Sequence, residues 1–333
     1  MKILFIGGTG TISSACSELL IARGQDLTLF TRGNSRLTPP SKAHLLQADI
    51  RDREAARVAL GNSTFDVVVD WVAYTPDHVQ EDLELFRGRV GQYVFISSAS
   101  AYQTPPSTLP IRESTLLDNP LWEYSRNKIA CEELLVSAYR EKKMPITIVR
   151  PSHTYGPSSV PVEGGYTVID RMLRHQEVVV PGDGTSIWTL TYNADFAKGF
   201  VGLLGNSHAI GEAFHITSDE LLTWNQIYQT LASAAGVEPR LVHVPSDLIA
   251  AYDSALGASL LGDKANSTIF DNSKIKQVVP DFCASTPFSR GAEEIISWHR
   301  EDPSRQGINP GFNALCDRIL ANYQRAWPAW NGQ

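Results

Sequence analysis

The chain has 333 residues, 43% hydrophobic and 20% charged, with a formal net charge of −7, which suits one large or two moderate globular domains around a sizeable core. The acidic balance argues against a nucleic-acid surface, which shows a basic stripe, and no apolar run reaches the roughly eighteen residues of a membrane span. The four cysteines, Cys16, Cys131, Cys283 and Cys316, form no Cys-x-x-Cys pair and have no histidine cluster beside them, so no metal is expected and a reducing cytoplasm is the expected location.

In chain order, "KILFI" is predicted as a buried strand, because its apolar run breaks at Gly7 and Gly8 too early for a leader. "TISSACSELLIARG" follows as a helix, "DLTLFT" as a second strand, and "AHLLQADI" holds a third. "DREAARVALG" reads as a helix, "FDVVVDWVA" as a fourth strand and "PDHVQEDLELFRG" as a helix. "GQYVFISS" is a fifth strand, "WEYSRNKIACEELLVSAYREKK" a long helix and "PITIVRP" a sixth strand. Short apolar strands alternating with helices predict an α/β chain with a Rossmann-type, doubly wound parallel sheet covered on both faces.

After Pro151 the composition turns to glycine, proline and aromatics, as in "YGPSSVPVEGGY", with helices predicted at "WNQIYQTLASAAG" and "FNALCDRILANYQRAW". A smaller, mixed C-terminal lobe is expected there. The boundaries predicted are residues 1–155 plus about 187–217 for a dinucleotide-binding domain, and about 156–186 plus 218–333 for a substrate lobe.

"FIGGTGTISS" joins the first strand to the first helix, with Gly7 and Gly10 three apart. Glycine there permits a tight turn and lets backbone N–H groups approach a pyrophosphate, whose charge the helix N-terminus favours. Ser13 stands where the longer fingerprint has a third glycine, and is small enough for close helix–strand packing. Asp49 has two readings: it accepts from an adenine amino group, or it caps the following helix. The second strand ends with Thr31, Arg32 and, further on, Arg36, where a binder of the ribose 2′-hydroxyl places an acid. Guanidinium groups suit a 2′-phosphate, so the lean is to NADP, with two solvated loop arginines as the alternative.

"FISSASAY" puts Ser97, Ser98 and Ser100 at the carboxyl end of the fifth strand, the edge outside which ligands bind. In "EYSRNK", i,i+4 spacing sets Tyr124 and Lys128 on one helix face. A tyrosine is a poor base at neutral pH, but a cation within about 4–6 Å favours the phenolate. With a serine holding the substrate oxygen, the set can take a proton from a carbinol as hydride leaves its carbon, or return one to a carbonyl.

On GGTGTI (7–12), SSASAY (97–102), YSRNK (124–128), RPSHTYGP (150–157) and PGDG (181–184), the chain resembles the epimerase/dehydratase branch of the extended short-chain dehydrogenase/reductase superfamily, over residues 1 to about 220. The resemblance implies Ser98, four before Tyr102, as the catalytic hydroxyl, Tyr124 as the base, and Lys128 as its partner and a ligand of the nicotinamide ribose. It implies NAD(P) held by Gly7, Gly10, Thr11, Ile12, Arg32, Asp49, Ile50 and Lys128. The implied activity is oxidation, reduction or epimerisation of a secondary alcohol on a sugar or sugar-like molecule. Nucleotide-sugar epimerisation is one alternative; a non-catalytic dinucleotide- or RNA-binding relative, similar to the chloroplast stem-loop RNA-binding proteins with their "GGTG…FTRG" beginning, is another. A homodimer is left open; neither nucleic acid nor membrane is expected as a partner.

Two departures from the family pattern stand out. Sugar 4,6-dehydratases carry an acidic pair just after the catalytic threonine, where this chain has Ala99 and Ser100. Nucleotide-sugar enzymes commonly carry an arginine shortly after the Gly-Asp-Gly turn, where this chain has Trp188. Its indole suits the C–H face of a sugar, or else it is core, and Arg171 and Arg174 are close enough in sequence to replace the missing charge. Ser100 and His153 complete the candidate substrate contacts, with a structural histidine as the other reading of His153.

Overall fold

The computed structural model describes residues 1–34 and 37–326; Arg36 and Trp327, the last residue of the predicted C-terminal helix, lie outside the described residues. The chain forms two compact units, the first made of Met1–Thr154, Thr191–Asp219 and Phe270–Ser285.

In the first unit, strands β1 (Lys2–Ile6), β2 (Asp26–Thr31), β3 (His44–Gln47), β4 (Phe65–Asp70), β5 (Val90–Ile96), β6 (Ile146–Pro151) and β7 (Ala213–Ile216) build one sheet in the order β7-β6-β5-β4-β1-β2-β3. Every pairing is parallel, so this is a Rossmann-type sheet. Side chains alternate across it. Ile3 and Phe5 pack with Cys16 and Leu20 of α1 (Thr11–Ala22) and with Phe196 and Phe200 of α5 (Asn193–Leu203). Leu4 and Ile6 face the other way, onto the cluster that holds Ala56 and Leu60 of α2 (Arg53–Leu60), Val79, Leu83 and Phe86 of α3 (Pro76–Phe86), and Cys131 and Leu135 of α4 (Glu123–Lys142). Both faces are thereby covered, which is why the strands read as unbroken apolar runs.

Three strands end earlier than their patterns predict, each for a polar reason. β4 stops at Asp70 because its carboxylate accepts from the N–H groups of Val72 and Ala73, at 2.6 and 2.8 Å, and turns the chain. β5 stops at Ile96 because Ser98 caps a short helical turn, Ala99–Ala101. β3 stops at Gln47, short of the Asp49 turn, where the Asp49 carboxylate accepts from Arg51 N–H.

The second unit comprises Tyr155–Leu190, Glu220–Ile269 and Thr286 onward. Strand Glu177–Pro181 pairs in parallel with Arg240–Val244. Helix Trp224–Ala235 begins with a reciprocal Thr223–Gln226 cap and ends on Gly236 in the left-handed conformation, the signals that make this helix legible from sequence. A five-residue π-helical turn, Leu260–Lys264, contributes Leu260 to a core with Val244, Ile249, Leu315 and Ile319. Among the described residues no helix is long and apolar enough to cross a membrane.

Candidate active site

Parallel strands bring the β1–α1, β4–α3 and β5 turns to one sheet edge, and the chain leaves β1 and β4 toward opposite faces. Such a switch point opens a crevice. Two contiguous cavities lie along it. One, about 500 Å³, is lined by residues that include Gly7, Thr9, Gly10, Thr31, Arg32, Asn34, Asp49, Ile50 and Arg51. The other, about 440 Å³, is lined by residues that include Gly10, Thr11, Ile12, Trp71, Tyr74, Ser98, Tyr124 and Lys128.

The glycine loop is shaped by backbone demands. Gly7 and Gly8 hold φ of +97° and +103°, a region that a side chain strains. A Cβ on Gly8 would stand 2.7 Å from Leu29 Cδ2, inside any real carbon–carbon contact. Gly10 is the N-cap of α1, and Ser13 Oγ accepts from its N–H at 2.8 Å. The third-glycine position therefore carries a buried hydroxyl that ties the loop, in addition to allowing close packing. The loop, the helix N-terminus and the paired cavities fit an extended dinucleotide.

At the first cavity, Arg32 is an exposed wall residue. Asp49 does not cap α2; Asp52 does, accepting from Ala55 N–H at 3.1 Å. Arg51, which sequence reasoning passed over, lines the same cavity while bridging Asp70 and Asp82 at 3.1 Å each.

At the second cavity, α4 supplies Tyr124 and Lys128. Lys128 is 2% exposed, and its Nζ donates to the carbonyl oxygens of Ala73 and Ile96 at 2.7 Å each. It lies 4.7, 4.9 and 5.7 Å from the ring centres of Phe95, Tyr74 and Tyr124. Burial pulls its pKa down to about 8, with the Asp70 charge acting in the opposite direction. Ser98 Oγ lies 2.9 Å from Ser100 Oγ, and Ser125 Oγ donates to Ser100 Oγ at 2.8 Å. Behind this, the Ser97 hydroxyl donates to Glu132, which Arg150 holds through two guanidinium nitrogens, and Arg150 reaches the Tyr102 hydroxyl at 3.1 Å. Ser125, Lys128 and Glu132 are buried on α4. Three polar residues at helical spacing among Cys131 and Leu135 were the available sequence signal for Ser125 and Glu132.

Ser98, Tyr124 and Lys128 are thus brought to one cavity with Gly7, Gly10, Thr11 and Ile12, and Arg32, Asp49 and Ile50 to the adjoining one. Ser100 is buried behind Ser98. His153 is half-buried, and the cavity is lined by its neighbours Ser152 and Thr154 instead. Trp188 lies in the second unit, 3% exposed, paired in register with Leu222 and tilted against Trp224 at 5.4 Å; its indole faces are covered by the fold, which leaves no open ring for a sugar. Nor does Arg171 supply the charge missing at that position. It is buried, bonded to the Glu177 carbonyl, the Asn313 side chain and Asp317, while exposed Arg174 pairs with Asp170. Among the described residues no cluster of three or more His, Cys, Asp or Glu could hold a metal ion.

Such a sheet, with the glycine loop and cavity at its carboxyl edge, defines a Rossmann-type α/β protein. The model of the NAD dependent epimerase/dehydratase family matches residues 3–217, and the chain belongs to that family. It is 31% identical over 257 residues to chloroplast stem-loop binding protein of 41 kDa b from Arabidopsis thaliana, covering 73% of this chain and 65% of that protein's length. It is 24% identical over 303 residues to 2'-dehydrokanamycin reductase from Streptomyces kanamyceticus, covering 90% and 84%. A UDP-glucuronic acid 4-epimerase from Bacillus cereus, solved in complex with NAD, superposes with a TM-score of 0.72 at 22% identity, over 90% of this chain and 99% of that one.

Proposed function

We propose that the chain is an NAD(P)-dependent oxidoreductase or epimerase that acts on a secondary alcohol of a sugar or sugar-like molecule. The observation that carries this reading is the placement of Ser98, Tyr124 and Lys128 on the wall of the same cavity as the glycine loop and the N-terminus of α1. The nicotinamide, when bound, supplies the acceptor or donor of hydride. The rest falls to this chain's side chains. Tyr124 Oη takes the carbinol proton or returns it. Lys128 sets a positive charge beside that phenol, where negative charge develops, and its two carbonyl contacts hold it there. Ser98 donates a hydrogen bond to the substrate oxygen.

The first unit is assigned the cofactor and the second the substrate-lobe role. Arg32 at the cavity wall, with Thr31 in place of an acid at the end of β2, favours NADP. Titration of both cofactors by calorimetry checks this, and a strong preference for NAD would overturn it.

The reaction is tested by reduction of NAD+ and NADP+ with D-galactose, methyl galactoside, galacturonate and UDP-glucose as alcohols, with product analysis for epimerisation. Turnover that survives Tyr124→Phe unchanged would sink the assignment.

A second reading has one observation in its favour, the 31% identity to a protein named for stem-loop binding. A gel shift with structured RNA at two salt concentrations separates the two, because phosphate-driven binding weakens steeply with salt. Salt-sensitive RNA binding together with no turnover of any alcohol would favour the binder; the net charge of −7 weighs against it.

A further inference from the structure

We propose that Ser125, acting through Ser100, is a positioning residue that keeps the Ser98 hydroxyl proton directed into the cavity. The proposal rests on the reading of Ser98, Tyr124 and Lys128 given above.

A hydroxyl has one proton to donate and two lone pairs to accept with. The Ser125 hydroxyl donates to Ser100 Oγ at 2.8 Å. With Ser100 Oγ held as that acceptor, the proposed direction sends the Ser100 proton to Ser98 Oγ, 2.9 Å away. Ser98 Oγ also accepts from the Ser100 N–H at 3.2 Å. Both Ser98 lone pairs are then engaged behind it, and its own proton is the group left to face the cavity that Ser98 lines.

The chain of hydroxyls is built to keep this polarity. Ser125 is 0% and Ser100 5% exposed, so water does not compete for their protons. Asn119, 1% exposed, donates from Nδ2 to the Ser100 carbonyl oxygen at 2.8 Å, which holds the backbone of the turn. Ser125 follows Tyr124 directly, about 100° further round the helix, so one turn of α4 offers the phenol to the cavity and the serine to the interior. Remove the Ser125 hydroxyl, and Ser100 Oγ loses the bond that holds its rotamer toward Ser98. With Ser100 turned away, a Ser98 lone pair is released, and the hydroxyl is free to turn that lone pair, in place of its proton, toward the substrate oxygen.

That polarity decides catalysis because the substrate oxygen gains negative charge as its proton leaves. A donor aimed at it is worth more in the transition state than in the ground state. The effect therefore belongs in kcat and not in cofactor binding.

The test is a double-mutant cycle on Ser98 and Ser125, with Ser125→Thr and Tyr124→Phe beside it. Turnover is read as NAD(P)+ reduction with the best donor among UDP-glucose, D-galactose and methyl galactoside, and cofactor affinity by calorimetry. Ser125→Ala is expected to lower kcat about tenfold, equivalent to about 1.4 kcal/mol, with cofactor Kd within about twofold of wild type. Ser125→Thr, which keeps the hydroxyl, restores the rate. In the Ser98→Ala background, Ser125→Ala should cost nothing more, since it has no Ser98 proton left to direct. If Ser125→Ala costs the same factor in both backgrounds, or nothing in wild type, while Tyr124→Phe is inactive, the proposal is overturned and the Ser–Tyr–Lys reading stands. If Tyr124→Phe turns over like wild type, that reading fails and takes the proposal with it.

Discussion

The Lys128 ammonium stands 5.7 Å from the centre of the Tyr124 ring while both protein carbonyls it bonds, those of Ala73 and Ile96, lie at 2.7 Å. Lysine is thus anchored to the sheet edge by main chain, and tyrosine meets a cation whose place does not depend on the substrate. Tyr124→Phe is expected to lower turnover by roughly a hundredfold or more and leave cofactor affinity nearly unchanged, whereas Lys128→Met should harm both. Steady-state kinetics with cofactor titration separates the two outcomes.

Burial gives Lys128 a pH signature. Its folded pKa is about 8 against an ordinary 10.5. Between those values the unfolded chain keeps a proton that the folded chain has shed, so stability rises with pH relative to a chain without the lysine. The gain approaches on the order of 3 kcal/mol by the upper end. Under the proposed reaction, turnover is expected to run the other way, because the cation beside Tyr124 is lost as pH passes about 8. Denaturant unfolding of wild type and Lys128→Met from pH 7.5 to 9.5 should show their stability difference shifting toward wild type while wild-type turnover declines. A pH-independent difference would show that the lysine stays charged.

Glu132 and Arg150 are a buried pair, with side chains 3% and 6% exposed. Removing one partner strands the other without water. Glu132→Ala is expected to destabilise the fold by about 3–5 kcal/mol, read as a shift in denaturant midpoint at unchanged slope. A loss below about 1 kcal/mol would mean that Arg150 finds other acceptors.

At Gly8, φ of +103° and the approach of Leu29 leave no room for a methyl group. Gly8→Ala should cost on the order of 2 kcal/mol or more from the backbone conformation alone and weaken cofactor binding through the displaced loop. Alanine at Gly24, which also has positive φ but nothing within 4 Å of a built Cβ, serves as the control: it should carry the conformational cost without the loss of cofactor.

Trp188 gives the clearest contrast between sequence and structure. Its place after the Gly-Asp-Gly turn suggested a substrate-facing ring, yet it is 3% exposed against Trp224. Trp188→Ala is therefore expected to cost about 3–5 kcal/mol in stability, seen by chemical denaturation. Wild-type stability with lost activity would return the ring to the substrate.

What could be read in advance follows from what determines it. The sheet was legible because strands buried on both faces leave unbroken runs such as Ile3–Ile6 of β1, and the glycine loop because its turn demands particular residues at particular places. The ends of β4 and β5 were not, because they are set by the carboxylate of Asp70 and the hydroxyl of Ser98 bonding to backbone two residues on. The cap that was one of the two readings of Asp49 belongs to Asp52, three residues further along; an N-cap is defined by the backbone angle at one residue, and two aspartates in "ADIRD" offer the same chemistry. Ser125, Glu132 and Arg150 escaped because each matters through partners distant in sequence. Segment 270–285, which the first unit includes, has no fingerprint at all: its contribution is Ile275 and Phe282 entering the core under α1 and α5.

The interleaving of the two units also governs how the protein can come into being. β7, which pairs with β6, spans Ala213–Ile216, so a nascent chain that has reached Thr154 has made six of the seven strands and still shows β6 as a bare edge. α5 and the 270–285 segment are also still to come, and until they arrive, Ile3, Phe5 and Val149 lack part of their cover. An emerging chain at that stage presents an unpaired strand and an apolar face together, the combination that invites self-association. Cutting the gene at the first unit boundary would reproduce that intermediate permanently; a soluble cofactor-binding fragment would have to splice in residues 191–219 and 270–285.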